Sequence, residues 1–422
     1  MPNSATALAT RPSERPMHLV IVHDFANAEL GAGATRSALD NAIALRRKGI
    51  EVTFFAAAGE PDAELVNAGV KVRLLGQADI RRNASRVGAA AQGMWNLEAA
   101  RALSELIAEC DLASTVFHVH TWSKALSPSV LPLLTAPGVH AIFHLHEYFV
   151  ACPNGGFFHY PTLSICKRRP LSAGCLTTQC DSRSGMVKAW RIGRHALMRM
   201  GAHYPDRARN FVLLSETQRR ALEPYLPAGA NTVLLRNPIA VERQPRIPRR
   251  SDAPFIFVGR ISKEKGLDVL VRGFADRQEQ LAVIGDGPDL DWLKAALPRA
   301  DFRGWNTKQQ VQQAMREARA LIFPSLWYEG MPMVVLEALA CGAPVISSRC
   351  SAAREVITDG VTGLTFDETD PAALSRAVEA LASDPLVEQM SEAAYTTYWE
   401  HPCDMARFAD ETEALYRRVL QA

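Results

Sequence analysis

Short apolar runs bounded by turn residues recur along this chain, separated by stretches whose apolar positions repeat every three to four residues. The runs read as strands buried on both faces and the repeats as helices, the pattern of parallel α/β units. Met17–Phe25 predicts the first strand, Gly31–Gly33 a turn, the residues through Lys48 a helix, and Val52–Ala56 a second strand. Further strands are expected at Val70–Leu75, Val116–His120, Ala141–Glu147, Phe211–Ser215 and Thr232–Leu235, with a helix over Trp95–Glu109. Val241–Ala253 then brings Pro and Arg with little apolar content, as a linker does.

The alternation restarts at Phe255–Arg260, with strands expected at Leu281–Ile284, Ala300–Trp305, Ala320–Ser325, Pro344–Ser348 and Leu364–Phe366. From Pro371 to Leu420 the pattern is helical only. The expected organisation is a disordered tail over 1–16, a first domain over 17–240, a linker over 241–253, a second domain over 254–395, and a helical end over 396–422. Two parallel-sheet domains joined by one linker place the default ligand site in the cleft between them.

Candidate chemistry concentrates after the Ala320–Ser325 run, in the stretch from Glu329 to Glu337. Pro332 suits the first turn of a helix, where its missing N–H costs nothing. Glu329 then lies in the preceding loop. Gly330, Met331 and Met333 offer backbone N–H groups at a helix N-terminus, a favourable place for phosphate or sugar oxygens. Glu337 follows eight residues on, about 12 Å away if the segment is helical, a span suited to two ends of one extended ligand. Its carboxylate either accepts from a ribose diol or meets a backbone cap or an arginine.

Arg260 and Lys265 share one strand-to-helix loop, where two cations can neutralise a diphosphate or simply face solvent. On the first-domain side, Gly31 and Gly33 form either a phosphate loop or a plain tight turn, since the spacing is not G-x-G-x-x-G. His120 and His146 fall at carboxyl ends of strands, where doubly wound sheets gather ligands. Each also reads as a satisfied structural histidine, and His144 lies deeper in its strand.

Composition narrows the class. With 48% apolar and 22% charged residues in 422, the chain is globular. The first 16 residues lack the apolar segment of a signal peptide, and no apolar run reaches the roughly 18 residues of a spanning helix. A cytoplasmic protein is expected, with no nucleic-acid partner.

The net charge of +2 conceals a surplus between Lys167 and Arg250, where 17 Lys and Arg face 5 Asp and Glu. That surplus implies an anionic partner or a solvated face. Within it, Lys188, Arg191, His195 and Arg199 recur at helical spacing opposite Met186, Trp190, Leu197 and Met200. This basic amphipathic helix suits either a peripheral membrane surface or core packing. Cys152, Cys166, Cys175 and Cys180 cluster in a loop-rich segment, which in a reducing compartment favours a structural zinc over disulfides. Free thiols or a labile disulfide are the alternatives.

These residues together resemble glycosyltransferase family 4, the retaining transferases whose GT-B fold sets two Rossmann-like doubly wound domains around a central cleft. The resemblance runs from about residue 17 to 420. It rests on Glu329 and Glu337 after Phe-Pro-Ser and before Ala-Leu-Ala-Cys-Gly-Ala-Pro-Val-Ile, on the segment from Phe257 through Arg260 and Lys265 to Gly266, and on Ile-Gly-Asp-Gly-Pro, Asn237-Pro238 and Asp359–Gly363.

The resemblance implies that Gly31 and Gly33 line the donor diphosphate and that Arg260 and Lys265 neutralise it. It assigns Glu337 to the ribose, Glu329 and the N–H groups after it to the donor sugar, and His146 to the donor sugar and acceptor. The family's His-Asp is His146-Glu147 here, which leaves Glu147 without an assigned role. It also implies that residues 396–422 cross back to the first domain and that no metal is needed for catalysis. The donor is then a nucleotide-diphosphate sugar, and the acceptor a glycan or a polyprenyl-diphosphate-linked sugar in bacterial exopolysaccharide or O-antigen synthesis. Alternatives on the same fold are a sugar-nucleotide epimerase, a sugar phosphorylase, or an inactive nucleotide-sugar-binding partner.

Overall fold

Two parallel sheets account for the apolar runs in the computed structural model, which describes residues 16–31, 33–277 and 279–422. Of the tail expected over 1–16, only Pro16 falls within the described residues. In the first sheet β1 (His18–Phe25), β2 (Glu51–Ala58), β3 (Lys71–Leu74), β4 (Thr115–Val119), β5 (His140–His144), β6 (Asn210–Leu213) and β7 (Asn231–Leu234) lie in the order β3-β2-β1-β4-β5-β6-β7. In the second, β8 (Phe255–Val258), β9 (Leu281–Ile284), β10 (Asp301–Gly304), β11 (Leu321–Phe323), β12 (Val345–Ser348) and β13 (Gly363–Phe366) lie in the order β10-β9-β8-β11-β12-β13. The pairings in both sheets are parallel.

Helices cover both faces, so a central strand such as β1 buries Leu19, Val20, Ile21 and Val22 completely and reads as a continuous apolar run. The strand order reverses between β1 and β4 and again between β8 and β11. A crevice opens at each such reversal, beyond the carboxyl ends of the strands.

Six helices matter for the site: α1 (Gly33–Arg47), α2 (Gly185–Ala196), α3 (Glu216–Leu222), α4 (Met333–Ala340), α5 (Asp384–Glu400) and α6 (Met405–Gln421). Helix α5 packs on the second domain, where Ala394 and Tyr398 join the core around α4. The chain therefore crosses back at 401–404, later than residue 396, because the α5 stripe stays apolar through Tyr398. Helix α6 then buries Phe408, Leu415, Tyr416 and Val419 with Leu39 and Ile43 of α1. Tyr416 Oη lies 2.6 Å from His118 Nδ1 and accepts from Asn41 Nδ2 at 3.1 Å. The outgoing and returning strands of chain touch where the Ile239 N–H donates to the Cys403 carbonyl at 2.9 Å.

The basic stripe of α2 faces inward, which corrects the reading of a membrane face built from its charges. Lys188 is 5% exposed, and its ammonium donates to the carbonyls of Cys175 and Thr178. Arg191 pairs with Asp181 at 3.1 Å. Arg194 donates to the Ser123 carbonyl at 2.7 Å and lies against Trp190 and Phe149. His195 is buried, and Arg199 pairs with Asp206 at 3.4 Å. Met186 and Met200 are the exposed residues, at 82% and 71%. Periodicity reveals two stripes but not which one finds partners inside, and here loop carbonyls and Asp181 supply them.

The linker arginines behave alike. Buried Arg249 donates to the carbonyls of Arg316, Ala318 and Cys341, and Arg246 pairs with Glu388 at 2.6 Å. Much of the local surplus of positive charge is thus taken up within the molecule.

Candidate active site

The crevice of the second sheet is bounded by the loops after β8 and β11, which press together. Gly266 has φ +80°, and a side chain there would start 1.9 Å from the Pro324 carbonyl oxygen, so both conformation and space require glycine. This contact holds Lys265 against Glu329, with Nζ donating to Oε1 at 2.7 Å. Ser325 Oγ donates to the same oxygen at 2.8 Å, and Lys265 Nζ stands 5.2 Å from the Trp327 ring centroid. Arg260, one turn earlier in the loop, is exposed and has no ion-pair partner among the described residues.

Pro332 is the residue before α4 rather than its first, with φ −77° and ψ 103°. Met333 opens the helix, so its N–H has no carbonyl one turn earlier to bond. Gly330 and Met331 precede it in the loop. Glu337 follows on α4, half-buried, with its side chain in no hydrogen bond or ion pair among the described residues. Burial pushes its carboxyl above the usual range, with Lys308 pulling weakly the other way. Among the described residues Glu337 meets neither the backbone cap nor the arginine partner weighed from the sequence.

The first domain supplies the facing wall. A side chain at Gly33, the first residue of α1, would start 2.7 Å from Met333 Cε, so the starts of α1 and α4 meet across the cleft. A side chain at Gly31 would collide with Thr35 Oγ1 at 1.6 Å. Beyond β4 and β5, His120 Nδ1 lies 2.9 Å from His146 Nε2. Burial lowers the His146 pKa to about 4 against the opposing pull of Glu147, so the ring is neutral near pH 7. Burial works against the Glu147 charge, but Lys124 at 3.0 Å holds its carboxyl below the usual range. Glu147 is thus engaged in a local ion pair with Lys124.

Some contributors were not read from the sequence. Asp24 accepts from the backbone N–H groups of Lys124, Ala125 and Leu126 at 3.0, 2.7 and 2.9 Å, bracing the loop after His120. Its place at the end of the first apolar run was the available signal. Glu355 of the second domain accepts from the N–H groups of Glu216 and Thr217 at 2.9 and 2.6 Å, capping α3 of the first. Nothing local in the sequence marks that contact.

Two clusters could hold a metal. His118, His120 and His144 each bring a ring nitrogen within 4.8 Å of the others, and His118 Nε2, His120 Nε2 and both nitrogens of His144 lack hydrogen-bond partners among the described residues. A divalent cation there would enter a buried core with no anionic ligand to offset its charge, so these rings fit a neutral packed ladder better. Cys152, Cys166, Cys175 and Cys180 are free thiols that line one cavity of about 20 Å³. Thiols can supply the missing negative charge, and that cavity admits one atom-sized occupant.

Comparison with known proteins agrees with this geometry. The family model described as "Glycosyl transferase 4-like domain" matches residues 32–238, and "Glycosyl transferases group 1" matches residues 253–384. Glycogen synthase of Mycobacterium tuberculosis is 29% identical over 295 residues, 65% of this chain and 68% of its own. A GDP-mannose-dependent alpha-(1-6)-phosphatidylinositol monomannoside mannosyltransferase of Mycolicibacterium smegmatis is 33% identical over 184 residues, 39% of this chain and 48% of its own. The crystal structure of Anabaena Alr3699/HepE in complex with UDP and glucose superposes with a TM-score of 0.64 at 15% identity, covering 95% of this chain and 100% of that one. With the two family models spanning both sheets and the crevice between them, the chain belongs to the family 4 glycosyltransferases of the GT-B fold.

Proposed function

We propose that the protein is a retaining glycosyltransferase that moves a sugar from a nucleotide-diphosphate donor to a glycan or polyprenyl-diphosphate-linked acceptor in cell-surface polysaccharide synthesis. The observation that carries this reading is the set of groups gathered at the second-domain crevice. Among the described residues Arg260 has no ion-pair partner and the Glu337 side chain no hydrogen-bond partner, while Lys265 is held beside Glu329 and α4 opens at Met333.

In this reading Arg260, Lys265 and the N–H groups at Gly330, Met331 and Met333 take the diphosphate and the donor sugar's oxygens, with Gly31 and Gly33 lining it from the first domain. Glu337 accepts from the ribose diol. Charge grows on the departing phosphate as the anomeric bond breaks, and cations already in place lower that barrier. Glu329 holds the donor sugar. Neutral His146, paired with His120, faces sugar hydroxyls on the acceptor side. The departing phosphate takes the acceptor's proton from the same face, which preserves configuration. No cofactor takes part.

The lipid-linked acceptor draws support from the mycobacterial relative, a phosphatidylinositol monomannoside mannosyltransferase. No helix among the described residues is long and apolar enough to cross a membrane, so such an acceptor would be met at a bilayer surface, at the inner membrane face.

A thermal-shift panel of UDP-, GDP-, ADP- and dTDP-sugars tests the donor, since a ligand at 100 times its Kd stabilises by about 2.7 kcal/mol. Incubation of the stabilising donor with lipid-linked and free glycans, read by NMR at the new anomeric centre, tests the rest. No shift with any nucleotide, or an inverted product, would defeat the proposal.

A further inference from the structure

Helix α2 turns its cations toward a lobe of the chain that the transfer reaction does not explain. This lobe leaves the end of β5, returns at the start of α2, and holds half of the cysteines in the chain. Its frame is slight: a two-residue hairpin, Phe158–His159 with Ser164–Ile165, and one short helix, Ala173–Thr177. A segment with so little regular structure needs a further source of order. The four thiols sit on separate pieces of it, before the hairpin, after it, on the short helix and beyond it. Yet all four line the same small cavity, and none is in a disulfide.

A further feature of this cavity suits anionic sulfur. Lys188 and Arg191 also line it. Lys188, nearly fully buried, contacts only carbonyl oxygens and has no carboxylate partner among the described residues. A buried ammonium without a counter-charge is costly, and a tetrathiolate centre of net charge −2 would offset it.

We infer that Cys152, Cys166, Cys175 and Cys180 bind one structural zinc ion that orders this lobe as a wall of the active-site cleft. No three of the sulfurs lie within 4.8 Å of one another, so metal binding draws them inward as each thiol releases its proton to solvent. The consequence for the site is direct. Gly156 lies beneath the Trp327 ring, where an added side chain would start 3.5 Å from the indole, and Tyr148 pairs with Tyr328 at 6.3 Å. The lobe therefore touches the loop that carries Glu329, and zinc positions that contact without entering the chemistry.

The test uses the full chain, expressed in zinc-supplemented medium and purified without chelator. Elemental analysis should find about one zinc per chain, and a mercurial thiol reagent should release it. Protein loaded with Co²⁺ in place of zinc should show the visible bands of a tetrahedral ion and a sulfur-to-metal charge-transfer band in the ultraviolet. Cys152→Ser and Cys180→Ser should each lower the zinc content at least tenfold, while Cys110→Ser and Cys403→Ser should retain it. Because the first two variants can fail to fold, the wild-type metal content and the cobalt spectrum stand by themselves. Wild-type protein without metal after incubation with excess Zn²⁺ and dialysis, or cobalt bound without the charge-transfer band, would overturn the site. These readouts need no sugar donor, so failure here and failure of the transferase reading are separable.

Discussion

Lys265 donates to Glu329 across 2.7 Å, tying the loop after β8 to the loop after β11 at the reversal of the second sheet. Both side chains are largely covered, at 22% and 12% exposure, so each is held in place before a donor arrives. A cation that is already oriented loses little when charge develops nearby.

Lys265→Met should lower kcat about 10²–10³-fold, the cost of removing one preorganised group that stabilises developing charge. Glu329→Gln should also slow transfer, and the double variant should fall short of the product of the two losses because the residues touch. Steady-state kinetics on the three variants checks this. Multiplicative losses would show that the pair does not act as a unit.

Glu337→Ala should weaken nucleotide-sugar binding by about 1–3 kcal/mol, as for a hydrogen bond to a charged group. The pH dependence carries a sign. Burial raises the Glu337 pKa, so its charge, and the affinity it provides, is complete above that raised value. Affinity is lost as pH falls through it, at a higher pH than an exposed glutamate would dictate. Calorimetry across a pH series should show this decline in the wild type and its absence in Glu337→Gln. For the folded protein alone the sign is opposite: the native state holds this proton more tightly than the unfolded chain, so acidification through the same range favours folding at this group.

Tyr416→Phe removes a buried hydroxyl that engages His118 and Asn41, leaving both without that partner. A loss of about 1–3 kcal/mol is expected, read by urea denaturation of the whole chain. Deletion of 400–422 should melt the first domain as well as the crossing. A truncated protein with the melting profile and turnover of the full chain would show that α6 is dispensable.

Arg194→Ala should destabilise by roughly 1–3 kcal/mol, because it strands the buried Ser123 carbonyl and empties a site lined by Trp122, Phe149 and Trp190. Denaturant titration measures it. A change within about 0.5 kcal/mol would place this arginine at the surface.

The strands were legible because both faces of a parallel sheet are buried, so β1 and β8 appear as unbroken apolar runs with turn residues at their ends. Glu329, Lys265 and Arg260 were legible as residues in loops at strand ends, but their contact was not. It depends on the approach of Gly266 to Pro324, between loops some sixty positions apart. The α2 cations misled because the spacing of Lys188 and Arg191 describes a helix face, whereas the partners that turn it inward, Asp181 and the Cys175 carbonyl, lie in an irregular lobe without period. The Glu355 cap on α3 was invisible for a related reason: it joins two domains, and no local pattern encodes it.

The course of α6 also bears on how the protein is made. The first domain emerges from the ribosome long before Phe408, Leu415 and Tyr416 exist, yet these residues fill its core beside α1. Until Tyr416 is made, the nascent first sheet carries an uncovered apolar flank, and His118 lacks the Tyr416 hydroxyl. Domains generally fold in order of synthesis, but here the first domain is completed only after the second has been made. A premature stop that spares every residue of the catalytic cleft would still leave that flank open, a ready target for chaperones and proteases.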